Sequence, residues 1–243
     1  MTGAIPGRIA LPLAASLLLG AATAARAEVP VGIGGEDPRA VEWLFIKPGF
    51  GYQRVWLRTF MAEDSERLTA HVIPEDLSGP APSLTLGTKL WFVSLGVTGR
   101  VARLSGTAPE RDSSQIDLWS VDGEVAFRAP LGPLEPYVLL GAGYSTFGGM
   151  GNVVDGLGNG LDMNGANLRG GLGFDYYLTT DVSLRLEGVS DVLFLGRPGV
   201  SARELAEPKE VGTLDEAEER LLEADGSSAG LAVGVNAGLG VHF

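Results

Sequence analysis

The chain has no cysteine and only two histidines, His71 and His242, among its 243 residues. Without Cys there are no disulfides, no thiolate metal sites and no thiol nucleophile. Base is also scarce, with 18 Lys and Arg against 30 Asp and Glu and a formal charge of −12, which argues against nucleic acid as a partner. Beyond residue 27 no window holds the ~20 continuous apolar residues that a membrane helix requires. Stability must therefore come from burial and backbone pairing, and any membrane crossing must use something other than helices.

The first 27 residues read as a secretory signal peptide. Arg8 supplies a short basic start, an apolar stretch runs from Ile9 to Ala25, and Ala25-Arg26-Ala27 forms a small-residue cleavage pattern before Glu28. Pro12 interrupts the stretch and makes it a poor anchor. This segment carries Arg8 and Arg26 and no acid, so the remainder stands at −14. Residues 28–42 are expected to form a periplasmic N-terminal segment, and 43–243 a single domain.

What the domain has in abundance is glycine, 36 residues against a usual share of ~7%, together with alternation. From Ala229 to Phe243 the odd positions Leu231, Val233, Val235, Ala237, Leu239, Val241 and Phe243 are apolar, and the even ones are mostly Gly with Ala232, Asn236 and His242. A period of two is that of a strand with one apolar face. Eight such segments are expected near 44–60, 83–92, 95–104, 116–128, 136–147, 166–178, 181–194 and 229–243, each long enough to cross a bilayer as a tilted strand, for which ~9–11 residues suffice. Their connections alternate. Long or medium loops at 61–82, 105–115, 148–165 and 195–228 are separated by tight turns at Val93-Ser94, Ala129 to Glu135 and Thr179-Thr180. Short periplasmic turns and long outer loops place both ends of the chain in the periplasm. The fold expected is all-β, an eight-stranded antiparallel up-and-down transmembrane barrel.

Aromatic residues should gather at the two water–lipid boundaries. In this topology Trp43, Phe45, Trp91, Phe92, Phe127, Tyr137, Tyr176, Tyr177 and Phe243 fall at periplasmic strand ends, and Phe60, Trp119, Phe147 and Phe194 at outer ends. The alternation assigns Lys89, Arg100, Asp122, Glu124, Arg169, Asp175, Arg185 and Glu187 to the lumen, four charges of each sign. Hairpin arithmetic places Asp175 across from Arg185 and Arg100 opposite Asp122. An eight-stranded barrel is only wide enough to be filled by side chains, so a plugged, salt-bridged lumen is expected. The first strand changes phase between Tyr52 and Val55, consistent with a bulge there.

These residues resemble the OmpA/OmpX-type small outer-membrane β-barrels over essentially all of Glu28 to Phe243. The resemblance rests on the signal peptide, the eight alternating strands, the repeated Gly141-Ala142-Gly143 and Gly171-Leu172-Gly173, and the end Leu239-Gly240-Val241-His242-Phe243. It implies a Gram-negative outer membrane, neighbouring lipid and lipopolysaccharide, and recognition of Phe243 by the outer-membrane assembly machinery. Two-domain members carry a peptidoglycan-binding domain after the barrel; none is seen here, so tethering by that route is not expected.

Chemistry has few candidates. A few barrels of this size modify lipid A with a His, a Ser and an acid. His71 stands near Asp64, Ser65, Glu75 and Ser78, yet no His-x-Ser motif accompanies it, and a solvated loop histidine is the expectation. No catalytic residue, cofactor or metal site is assigned. Asp155, Asn159, Asp162 and Asn164 offer oxygen ligands for calcium without the spacing of a calcium loop, and Gly148-Gly149-Met150-Gly151-Asn152 lacks the Lys-Ser or Lys-Thr of a phosphate loop. Between Arg203 and Asp225 nine acids face three bases, and Thr213-Leu214-Asp215-Glu216 opens a short helix with a capping box. The plain reading of that loop is a solvated acidic helix; the sharper one is a lid over the barrel mouth or an acidic face that meets divalent cations bridging surface lipids. The expected role is structural or surface-interacting and non-enzymatic, with a small pore for ions or apolar solutes as the alternative.

Overall fold

The computed structural model describes residues 41–57, 60–62, 67–68, 76–106, 114–148, 162–199 and 225–243, with 201, 203 and 223. The expected signal peptide, His71, most of the Gly-rich loop and the helix expected to open at Thr213 lie outside the described residues.

Period-two patterning produces eight long strands: β1 (Val41–Leu57), β2 (Asp76–Leu90), β3 (Val93–Gly106), β4 (Ser114–Arg128), β5 (Leu134–Gly148), β6 (Met163–Tyr177), β7 (Val182–Arg197) and β8 (Gly226–His242). Each pairs antiparallel with the next, and β8 pairs with β1, so the sheet closes and has no long edge. A short pair, Phe60–Ala62 and Arg67–Leu68, extends the sheet at the end of β8. Following partners around the wall from Ile46 leads through Leu86, Val97, Gly123, Ala142, Leu168, Val192 and Leu231 back to β1 at Trp56. The circuit thus closes ten residues further along β1, the stagger that tilts strands in a closed barrel.

The strands exceed the expected lengths because inward patterning continues beyond the apolar outer belt. β2 starts at Asp76 instead of 83, taking in Pro80 and Pro82, which pair with Tyr52 and Phe50 on β1. Proline has no N–H to give, and the β2–β3 ladder is interrupted between Ser83–Arg100 and Ser78–Ser105. Within that interruption Gly79 is needed for close approach, since a Cβ there would lie 1.9 Å from the Arg103 carbonyl oxygen.

Two turn and register expectations are corrected. Val93 and Ser94 belong to the ladder, and the two-residue turn is Trp91-Phe92, with Trp91 at φ 57°, a left-handed backbone that bulky residues seldom adopt. The β1 bulge lies at Trp43-Leu44, both exposed, and the register is continuous from Phe45 to Trp56. The apparent change of phase near Val55 has another cause: Val55 and Leu57 are apolar residues facing the interior.

The outer face is apolar around the barrel, with Leu84, Val97, Leu140, Leu168, Leu172 and Val235 among its exposed side chains. Such continuous apolar exposure does not persist in water. Of the aromatics placed at the boundaries, Trp43, Trp91, Phe92, Phe127, Tyr176, Phe243, Trp119 and Phe194 do face outward. Phe45, Tyr137, Phe147 and Tyr177 instead point inward and are buried, since each falls on the lumen parity of its strand.

Candidate functional site, the barrel interior

Along β4 the inward positions read Ile116, Leu118, Ser120, Asp122, Glu124, Ala126 and Arg128, from the long-loop end to the short-turn end. Near the long loops the interior holds Val55, Leu57, Leu77, Leu104, Phe147, Met163, Leu193 and Leu195, all buried. Below this apolar tier the interior is mostly charged and polar, with one small apolar cluster of Ala126, Tyr137, Leu139 and Val189.

All eight sequence-assigned lumen residues are buried on the inner face. Arg169 on β6 is the centre of one group, with ion pairs to Asp122 (3.1 Å), Glu124 (3.1 Å), Glu187 (3.5 Å) and Asp191 (3.9 Å). Arg100 reaches across the lumen to Asp191 at 2.7 Å, and to Asp122 only at 3.7 Å. Asn167 donates to Asp122, Arg185 pairs with Glu187, and the Tyr137 hydroxyl donates to Glu187 at 2.9 Å while accepting from Arg185 Nε at 2.8 Å.

A second group forms the floor at the short turns. Its links run from His242 Nδ1 to Glu42 (2.7 Å), Glu42 to Lys89 (3.3 Å), Lys89 to Glu135 (2.7 Å), Glu135 to Arg128 (3.0 Å), Arg128 to Asp175 (2.6 Å) and Asp175 to Lys47 (2.7 Å). Six of the eight strands contribute. Asp175 and Arg185 are indeed partners in the β6–β7 register, but their ion pairs go elsewhere, and Arg100 stands opposite Ser120 instead of Asp122, which faces Thr98. Long side chains inside a narrow barrel reach the far wall as easily as the adjacent strand.

Glu42, Lys47, Arg128, Glu135, Asp191, Arg197 and His242 are also buried inward, so the expected balance of four charges of each sign was too small. Parity carried the signal for several: Arg128 is four residues from Glu124, and Asp191 four from Glu187. Glu42 and Lys47 were hidden by the bulge between them.

Among the described residues, His242 has the company of a serine and an acid. Its Nε2 lies 2.8 Å from Ser183 Oγ, while Nδ1 meets Glu42, which also accepts from Tyr177 at 2.8 Å. Ser183 and His242 are buried to 0% and 3% exposure, which gives a substrate no approach to the hydroxyl in this conformation. The arrangement joins the first, seventh and last strands at the barrel seam. Among the described residues no group of His, Cys, Asp and Glu is placed to hold a metal ion.

Interior space is small. One cavity of about 20 Å³ lies beside Lys47, Thr85, Glu124, Arg128 and Arg185. Another of about 10 Å³ lies beside Gln53, Ser83, Arg100, Arg169 and Asn236. Each has room for about one water.

No family model matches the chain, and no curated protein matches it. Solved structures do. The outer membrane protein OprG from Pseudomonas aeruginosa is similar at 13% identity over 84% of this chain and 98% of that one, with a TM-score of 0.53. Neisserial surface protein A gives 12% identity, 82% and 97% coverage and a TM-score of 0.45, and the outer membrane protein AlkL gives 11%, 89% and 96%, and 0.48. Closed antiparallel topology and eight strands agree with the OprG likeness: the protein has the fold of a small, closed, eight-stranded antiparallel β-barrel.

Proposed function

We propose that the protein resides in the outer membrane as a barrel closed to ions, non-enzymatic, and acting structurally or through its outer loops. The observation that carries this reading is the floor of linked ion pairs from five strands, joined to a sixth by the His242–Glu42 hydrogen bond, beneath a packed apolar tier. Ions crossing it would have to part buried pairs, each of which costs several kcal/mol to strip of a partner. Lipid and lipopolysaccharide are the proposed surroundings of the belt, the assembly machinery the proposed reader of Phe243, and divalent cations the proposed ligands of the acidic loop at 203–225.

A second reading is favoured by one combination of features. An apolar upper interior, a sealed floor and an interrupted β2–β3 ladder beside Pro80 and Pro82 together suit passage of an apolar solute sideways into lipid instead of through the barrel. Refolded protein in planar bilayers, confirmed folded by its heat-dependent gel shift, is expected to show no steady ionic conductance. Steady openings would sink the closed-barrel reading. In vesicles, faster entry of an apolar dye without conductance would establish the sideways route in its place.

A further inference from the structure

The outer wall carries two exposed Arg–Asp pairs near the long loops, Arg54–Asp76 and Arg103–Asp117. The first adjoins a depression in the wall through Trp56, over whose ring Arg54 stands. That depression, about 350 Å³, is lined by Trp56, Val192, Ala229, Gly230 and Leu231. It exists because β8 presents the small Ala229 at an outward position where the next two outward positions carry Leu231 and Val233. The registers Trp56–Leu231–Val192 and Arg54–Val233 place the groove and the guanidinium on adjoining strands.

We infer that this groove is a docking site for one lipid bearing a phosphomonoester head and acyl chains, its chain in the groove and its phosphate on Arg54. The inference rests on the membrane residence proposed above. The Arg54 guanidinium stands 5.0 Å from the Trp56 ring centroid, so the cation is held over the groove's aromatic wall. Asp76 takes Nε and one Nη2 proton, at 2.9 and 2.5 Å, out of the five that a guanidinium offers. The remaining donors point to a ligand with several acceptor oxygens, which phosphate supplies and an acyl chain lacks. The groove is continuous with the apolar belt through Leu231 and Val192, so an acyl chain enters it without leaving lipid.

The test is native mass spectrometry of the full refolded chain in detergent micelles, with phosphatidic acid and diacylglycerol of the same chains as probes. The parent should hold one phosphatidic acid about tenfold more tightly than diacylglycerol, the factor that a charge-assisted hydrogen bond carries. Arg54→Gln should abolish that preference while leaving chain binding, Ala229→Phe should abolish both, and Asp76→Asn should strengthen the preference by freeing donors. Equal binding of both probes by parent, Arg54→Gln and Ala229→Phe would overturn the inference. So would a dimer that Ala229→Phe disperses, which would give the groove to a second copy of the chain. Gel shift establishes that each variant folds. Failure of the parent to enter vesicles would refute membrane residence separately, because adducts are counted in micelles.

Discussion

Arg169 and Leu104 both point into the same narrow barrel, yet their surroundings have nothing in common. Four carboxylates lie within ion-pair reach of Arg169, whereas the long-loop tier around Leu104 is filled by Leu77, Ile116, Phe147 and Met163. The apolar tier is non-directional and tolerates exchange of one hydrocarbon for another of like volume. In the charged half every donor needs an acceptor at one place, and loss of one member strands the others. The comparison assigns closure to the charged floor and adaptable filling to the apolar tier.

Arg169→Met should break the charged half most severely. It leaves Asp122, Glu124, Glu187 and Asp191 gathered without their shared cation, a loss of about 3–5 kcal/mol in urea unfolding of the lipid-refolded barrel. Unfolding unchanged from the parent would mean that the carboxylates do not depend on it. Leu104→Ala, at 0% exposure, should cost about 2–5 kcal/mol by leaving a cavity. Its ionic conductance should stay nil because the floor below is intact; channels opened by this change would move the seal from the floor to the apolar tier. Ser183→Ala should have the smallest effect, about 1 kcal/mol, from loss of one hydrogen bond to His242. A much larger loss would make the seam a third structural region instead of an extension of the floor.

Much of the charged half was legible in the chain because strand parity is local: once Arg185 faces inward, Glu187 must as well. The same rule reached Asp122 and Glu124 on β4, and Arg169 and Asp175 on β6. It failed on β1, where the Trp43-Leu44 bulge shifts parity between Glu42 and Lys47. It also misled where apolar residues face inward, because hydrophobicity alone does not distinguish Phe147 in a lumen from Phe194 against lipid. Only the neighbours across the barrel make that distinction.

By itself the sequence determined the number of strands, their antiparallel order, the outward belt and which alternate residues share a face, all consequences of a two-residue repeat and of connections alternating in length. The tertiary structure alone decided the pairings. Closure ten residues out of register brings His242 to Glu42 and Ser183, and Arg100 to Asp191 on the far wall. No local pattern encodes a stagger that accumulates over eight strands, and the partners of a buried charge depend on where that stagger ends.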